Sequence, residues 1–482
     1  MFTRHDLIKI HNSLYEIPKT YRSDMRVPAH IFINEIMLED VLGDNSLAQI
    51  INVATLPGIV KAAYAMPDIH QGYGFPIGGV AAFDINAGGI ISPGGIGYDI
   101  NCGVRLLGSN IAAAELRPHL EVLATELFNA VPSGVGRGGN IKMSEKELDK
   151  VLQHGAAEML KQGYGSSSDL EYCEEQGAMA QANPETVSQK AKQRGSDQLG
   201  TLGSGNHFLE VQEVTTIYDE KIAQTFGLFL GQVVVMIHCG SRGLGHQNCT
   251  DYVKEMLPKL SQWGITLVDR ELACAPFSSN EGLQYYASMC ASANFAWANR
   301  HVIGHWVREC FTKILGTQVH LRTIYDLSHN MGKKETHLID GKKRELIVHR
   351  KGATRAFPGT REEVPPAYRS SGHPVLIPGT MGTSSYVLVG TQEGLDSAFG
   401  SSCHGAGRRL SRMKAKKTVR GSTLRHELEA QGIIIRSDSD PGLAEEAPIA
   451  YKDVDNVVAV IEQANLARRI AQLKPLAVIK GG

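Results

Sequence analysis

Short apolar runs alternate with glycine and proline most densely over residues 72 to 108, a pattern that predicts strands joined by tight loops. Residues 114 to 131 and 145 to 162 place apolar side chains at helical spacing. QVVVMIH (232 to 238) is a β-branched run that reads as a buried strand ending on a histidine, and RTIYDLSHN (322 to 330) reads as another. Residues 284 to 316 read as a long amphipathic helix with aromatics at 285, 286, 295, 297 and 306. Residues 455 to 473 read as a last helix, before Pro475. PGTREEVPPAYRSSGHP (358 to 374) reads as an exposed loop. No internal repeat or low-complexity linker divides the chain. The mixture of elements predicts one α+β domain over 1–482, with mixed sheets flanked by helices and with helical insertions.

Composition narrows the class. The chain has 482 residues, 42% of them hydrophobic and 21% charged, which suits a soluble protein with a large core. The formal net charge is −1, so any contact with nucleic acid needs a local basic patch. Charges interrupt every apolar run of MFTRHDLIKIHNSLYEIPKTYR, unlike a signal peptide. No run approaches the ~18 apolar residues of a membrane span. The cysteines at 102, 173, 239, 249, 274, 290, 310 and 403 form no CxxC pair, and a reducing cytoplasm is the expected location.

Chemistry concentrates where strands meet glycine turns. GGIGYDINCGVR (94 to 105) sets Asp99 three residues before Cys102. His207 lies in GSGNHFLE, His238 in VVVMIHCGSRGLG, His329 in YDLSHN and His404 in SSCHGAGRR. A carboxylate, a thiolate and imidazoles are usual ligands of a divalent first-row metal, and the Cys/His content favours zinc. His301 and His305 share metal-like spacing, but no HExxH glutamate accompanies them, and a helix face is the better reading. GVGRGG (134 to 139) lacks the strand and helix of a dinucleotide fingerprint, and there is no Walker motif or Lys-x-Asp-Gly.

SSCHGAGRRLSRMKAKKTVR (401 to 420) follows His404 with a glycine turn. Arg408, Arg409, Arg412, Lys414, Lys416, Lys417 and Arg420 come next, with no acid among them. Backbone N–H groups of such a turn and arginine forks bind phosphate, and a histidine at the mouth is a candidate nucleophile on phosphorus. PGTMGTSSYVLVG (378 to 390) offers further N–H and hydroxyl donors. Lys480, three residues from the end, would by itself read as solvated and mobile.

Together with MPDIHQGYGFPIGGVAA (66 to 82) and the terminal KGG, these segments resemble the RtcB-type RNA ligases over residues 66 to 482. The resemblance implies a single RtcB-type domain built around a central metal and nucleotide cleft. It implies joining of RNA 3′-phosphate or 2′,3′-cyclic phosphate ends to 5′-hydroxyl ends, as in tRNA splicing or RNA repair. It implies two Mn²⁺ ions, one on Asp99, Cys102 and His207 and one on Cys102, His238 and His329, with the thiolate bridging. It implies that His404 takes GMP from GTP and passes it to the RNA 3′-phosphate. Nucleotide contacts are implied for Asn206, His207, Phe208, Leu209 and Glu210, for His329 and Asn330, and for Pro378, Gly379, Thr380, Met381 and Ser385. They are also implied for His404, Gly405, Ala406, Gly407 and Lys480, the last at the guanine edge. Asp68 matches an acid important to function.

Position 239 departs from the family pattern, with Cys239 where serine is expected; a thiol beside His238 is a candidate influence on oxidation or metal preference. tRNA halves are the implied substrate and archease an implied activator, and the resemblance points to a monomer. Two rivals remain: a dinuclear-metal phosphoesterase acting on RNA ends, which has no use for His404, and an RNA-binding protein with a structural metal.

Overall fold

The computed structural model describes residues 2–134 and 136–481; Val135 of GVGRGG and Gly482 of KGG lie outside the described residues. Its elements are mixed α and β around two large sheets. The first runs in spatial order Ile8–His11, Leu14–Ile17, Ala29–Ile31, Ala63–His70, Ile77–Asp84, Lys342–Lys351, Asn330–Ile339. The second runs Leu321–Ser328, Gly103–Ala112, Gln232–Cys239, Phe208–Ile217, Ala467–Ile479, Ser385–Gly390, Pro374–Ile377, with Ile434–Arg436 pairing in parallel with Ala467–Ile479. No helix among the described residues is long and apolar enough to cross a membrane.

Register decides what the second sheet gathers. Ser328 faces Gly103, Gly103 faces Cys239, and His238 faces Phe208. Four strands therefore finish level at one end, where Cys102, His207, His238 and His329 sit within a residue of the pairing. The strands at 232 to 238 and 322 to 330 form as their sequences predict, as Gln232–Cys239 and Leu321–Ser328, and His329 is the single residue before Asn330–Ile339.

Three expectations change. Residues 455 to 473 are not one helix: Val454–Gln463 is helical, but Ala467–Ile479 is an interior strand paired with Phe208–Ile217 and Ser385–Gly390. Ladder partners on both sides outweigh the weak helical spacing of ARRIAQLKPLAVI, and the register shifts near Pro475, which lacks a donor. The long helix is Asn280–Leu315, and from Met289 to Gly304 every residue is buried, so it is a core helix rather than an amphipathic one. It packs on the Gln232–Cys239 strand and among the helices Leu120–Ala130, Glu145–His154, Ala156–Lys161 and Arg242–Met256. The loop 358 to 374 is exposed only in part, since Val364, Tyr368 and His373 are buried. The other two helical stretches form, interrupted at Arg117–His119 and at Gly155, which adopts a φ of 56°.

Candidate metal and nucleotide site

The level strand ends bring two groups of candidate ligands together: Cys102, His238 and His329, and Asp99, Cys102 and His207, each with its donor atoms within 4.8 Å of one another. Cys102 Sγ is 3.4 Å from His207 Nε2 and 3.3 Å from His238 Nε2, while His238 Nε2 is 3.2 Å from His329 Nε2. His207 Nε2 lies 2.9 Å from Asp99 Oδ2, and its Nδ1 bonds the Leu202 carbonyl at 2.9 Å. Asp99 is held by Ser241, whose backbone N–H donates to Oδ1 at 2.9 Å. A side chain on Gly240 would come within 2.4 Å of that carboxylate, so only glycine fits beside it.

This donor set fits metal ions. Bonds of about 2.0–2.3 Å around one ion leave neighbouring donors roughly 3.3 Å or slightly more apart, the spacing found here. Burial drives His238 and His329 well below the ordinary imidazole range, so both are neutral with lone pairs to share. Two such nitrogens facing each other with no partner on either Nδ1 form a poor hydrogen-bonded pair. Burial pushes the Cys102 thiol up to about 12, and a bound cation is what would draw its proton off. Burial opposes charge on Asp99 as well, yet the hydrogen bond to His207 holds it well below the usual carboxylate range. Cys239 belongs to neither group. Its Sγ bonds the carbonyls of Leu202 and Thr201 at 3.0 and 3.3 Å, on the side of the strand opposite His238, and lies 3.8 Å from Nδ1 of His207, so the thiol touches one metal group from behind.

His404 arrives from a separate two-stranded sheet. Ala353–Arg355 follows the ligand strands and pairs with Ser401–Cys403, Ala353 opposite Cys403. The His404 and His329 rings stand 4.9 Å apart. His404 Nδ1 is 2.5 Å from Asp68 Oδ2, and the same oxygen accepts the His404 backbone N–H at 3.1 Å. Asp68 is 0% exposed, and Lys452 braces its segment through the carbonyls of Pro67 and Ile69. With Nδ1–H donated to a buried carboxylate, Nε2 is left with a free lone pair.

Two cavities meet at His404, Asn206 and Ile77. The first, about 220 Å³, is walled by Phe208, Glu210 and Lys480 on one side and by Pro378–Met381 and Gly405–Gly407 on another. Lys480 is 3% exposed, its ammonium 3.3 Å from the His207 carbonyl, so the tail is anchored rather than solvated. Burial raises Glu210 to about 7 and lowers Lys480, each opposed by the other's charge. The second cavity, about 310 Å³, holds Asp99, Cys102, His329 and Asn330.

Not every expected contact lines the first cavity. Asn330 bonds the Asp99 carbonyl and the Gly352 N–H and faces the second. Leu209 packs in an apolar core. Ser385 Oγ holds the Gly379 N–H at 3.1 Å and shapes the loop from behind. His207 and His329 sit in the metal groups.

The basic run is less free than its sequence suggests. Arg408 is engaged by Glu446, Tyr451 and the Glu445 carbonyl, Arg409 by Asp40, and Lys416 by Glu445. His301 and His305 are hydrogen-bonded helix residues, through the Tyr164 carbonyl and the Gly165 N–H. Sequence reasoning missed Tyr451, Glu446 and His70 in the first cavity, and Tyr73, Tyr98 and Lys351 in the second. His70 and Tyr73 lie inside MPDIHQGYGF and were open to notice there; EEAPIAYKD carries no signal for Glu446 or Tyr451.

Residues 49–481 match the family model described as tRNA-splicing ligase RtcB. The tRNA-splicing ligase RtcB of Archaeoglobus fulgidus is 52% identical over 478 residues, 98% of this chain and 99% of that protein. That of Thermococcus kodakarensis is 53% identical over the same shares. The RNA-splicing ligase RtcB of Mycobacterium bovis is 51% identical over 435 residues, 90% of this chain and all of that protein.

Proposed function

The chain belongs to the RtcB family of tRNA-splicing ligases, and from that premise we propose that residues 1–482 act as one GTP- and Mn²⁺-dependent RNA ligase with His404 as its nucleophile. The observation that carries this reading is the position of His404. Its Nδ1 is fixed on Asp68, and its ring stands between a cavity walled by Glu210 and Lys480 and the ligand groups of Cys102.

In the proposed reaction His404 Nε2 attacks the α-phosphorus of GTP. The N–P bond forms as the bond to the β-phosphate oxygen breaks, and pyrophosphate leaves. An oxygen of the RNA 3′-phosphate then attacks the same phosphorus, and the N–P bond breaks to free His404. The RNA 5′-hydroxyl attacks the activated 3′-phosphate, closes the phosphodiester and expels GMP. A 2′,3′-cyclic end is first hydrolysed to the 3′-phosphate.

Residues of this chain have separate tasks. Asp68 keeps the proton on Nδ1 and the nucleophilic lone pair on Nε2. The Gly405–Gly407 turn offers backbone donors to phosphate oxygens, while Pro378–Met381, whose Gly379 and Thr380 N–H groups are held by Ser385 and Thr383, walls the cavity. Glu210 as carboxylate accepts from the N–H edge of guanine and Lys480 donates to its carbonyl, a pairing adenine cannot satisfy. Ions held by Asp99, Cys102 and His207 and by Cys102, His238 and His329 would neutralise charge on the reacting phosphates. The substrate we propose is RNA with a 3′-phosphate or cyclic phosphate and a 5′-hydroxyl, tRNA halves above all.

The test is intact mass after incubation with GTP and Mn²⁺, without RNA, beside His404→Ala. The expected result is a gain of one GMP, acid-labile as a phosphoramidate and missing in the variant. No adduct with any nucleotide, metal or added activator would favour the dinuclear phosphoesterase instead.

A further inference from the structure

The ligands come from four segments far apart in the chain, and the usual device for aiming a metal-binding imidazole is missing from two of them. His207 is oriented by the Leu202 carbonyl, but Nδ1 of His238 and of His329 has no hydrogen-bond partner among the described residues. Their aim depends on where the backbone puts them.

That backbone is gripped from behind by one turn of the buried helix Asn280–Leu315. Arg300 is 0% exposed, and its guanidinium makes four hydrogen bonds and an ion pair. Nη1 donates to the carbonyls of Asn101, at 2.7 Å, and Cys239, at 2.8 Å, the residues next to Cys102 and His238. Nη2 donates to Asn101 Oδ1 at 3.0 Å and pairs with Asp326 Oδ1 at 2.8 Å, and Nε donates to Asp326 at 2.9 Å. Asp326 lies three residues before His329, and its other oxygen takes Arg105 at 2.7 Å.

Asn299, also 0% exposed, grips what is left. Its Oδ1 accepts the N–H groups of Gly200 and Thr201 at 2.8 and 3.2 Å. Its Nδ2 donates to the carbonyls of Thr201 and Gly240 at 3.1 and 3.3 Å. These lie at the start of the loop that ends in His207 and beside Asp99. Two turns earlier, Asn101 Nδ2 donates to the Ala293 carbonyl of the same helix at 2.7 Å. Gly103 leaves room for the grip: a Cβ there would lie 3.1 Å from the Arg300 guanidinium and 2.1 Å from the Leu327 carbonyl.

We propose that Asn299 and Arg300 are positioning residues that hold the ligand segments of both metal groups in place before any ion binds. A buried guanidinium is expensive to desolvate, and apolar side chains would serve packing alone as well. Its donors go instead to carbonyls flanking the ligands. Lysine, with a single ammonium, cannot reproduce that planar fork. The proposal rests on the two groups binding divalent ions and is indifferent to which ion.

The test is Co²⁺ titration of the metal-free full-length protein, following the thiolate-to-cobalt absorption of Cys102 and counting ions by native mass spectrometry. The native chain should take two ions. Arg300→Lys and Asn299→Ala should each weaken binding about 10- to 100-fold and alter the absorption, the range for losing an outer-shell partner. Asn101→Gly keeps the fold accessible even if those two variants do not fold, because Asn101 already has a φ of 52° that glycine tolerates. It removes two side-chain bonds to the helix, and should weaken binding roughly 3- to 10-fold, one net hydrogen bond's worth. Folded variants that take two ions with native affinity and native absorption would overturn the positioning role alone. A native chain that takes no ion would overturn it together with the metal reading above.

Discussion

Replacing Asp68 by Asn isolates what the buried carboxylate does for His404. The substitution keeps the volume of a side chain that is 0% exposed. It removes the charge 2.5 Å from His404 Nδ1. A hydrogen bond to a charged acceptor contributes about 1.5–3 kcal/mol. At about 1.4 kcal/mol per factor of ten, losing that preference for the Nδ1–H tautomer slows attack by roughly 10- to 150-fold. If the amide turns its NH₂ group toward His404, Nδ1 must accept, the proton moves to Nε2, and the nucleophile is silenced further.

The assay is the single-turnover rate of GMP transfer to the protein, read by intact mass, with GTP affinity measured separately by titration on His404→Ala and on the double variant. The expected outcome is a rate loss in that range with GTP affinity within about twofold of native. An unchanged rate in a folded Asp68→Asn protein would refute the tautomer argument. Rate and affinity falling together would place Asp68 in the shape of the pocket instead.

Four further outcomes are expected. Burial holds Glu210 at about 7 against an ordinary 4.5, so GTP affinity should rise about tenfold from pH 6 to pH 8 and be flat in Glu210→Gln, as isothermal titration would read. The folded state binds that proton more tightly than the unfolded one, so Glu210 also subtracts stability as pH climbs from 4.5 toward about 7; denaturant melts of Glu210→Gln should lack that slope. Because Cys102 belongs to both groups, Cys102→Ala should bind neither ion, and a variant that still carries two in native mass spectrometry would end the bridging idea. Lys480→Met should weaken GTP by about 10- to 100-fold and narrow the preference over ATP in competition binding, since it leaves Glu210 and Glu446 without their shared cation.

Much of the site could be read in the chain because its chemistry needs particular residue types in cramped turns. Asp99, Cys102, His207, His238, His329 and His404 each stand where an apolar run gives way to glycine, and all six converge. Lys480 carried no such signal of its own. Only its burial against the His207 carbonyl shows that the tail belongs to the pocket.

The sequence by itself determined the candidate ligand types, the strands that end on His238 and near His329, and the family. Local pattern suffices there, because a β-branched run and the turn after it are set by neighbouring residues. Tertiary structure alone decided that ARRIAQLKPLAVI is a strand, since two ladder partners distant in sequence outweigh its local preference. It alone paired Arg408, Arg409 and Lys416 of the basic run with Glu446, Asp40 and Glu445. It alone set Asn299 and Arg300 behind the ligands, because hydrogen bonds from one buried turn to backbone carbonyls leave no periodicity or motif to read.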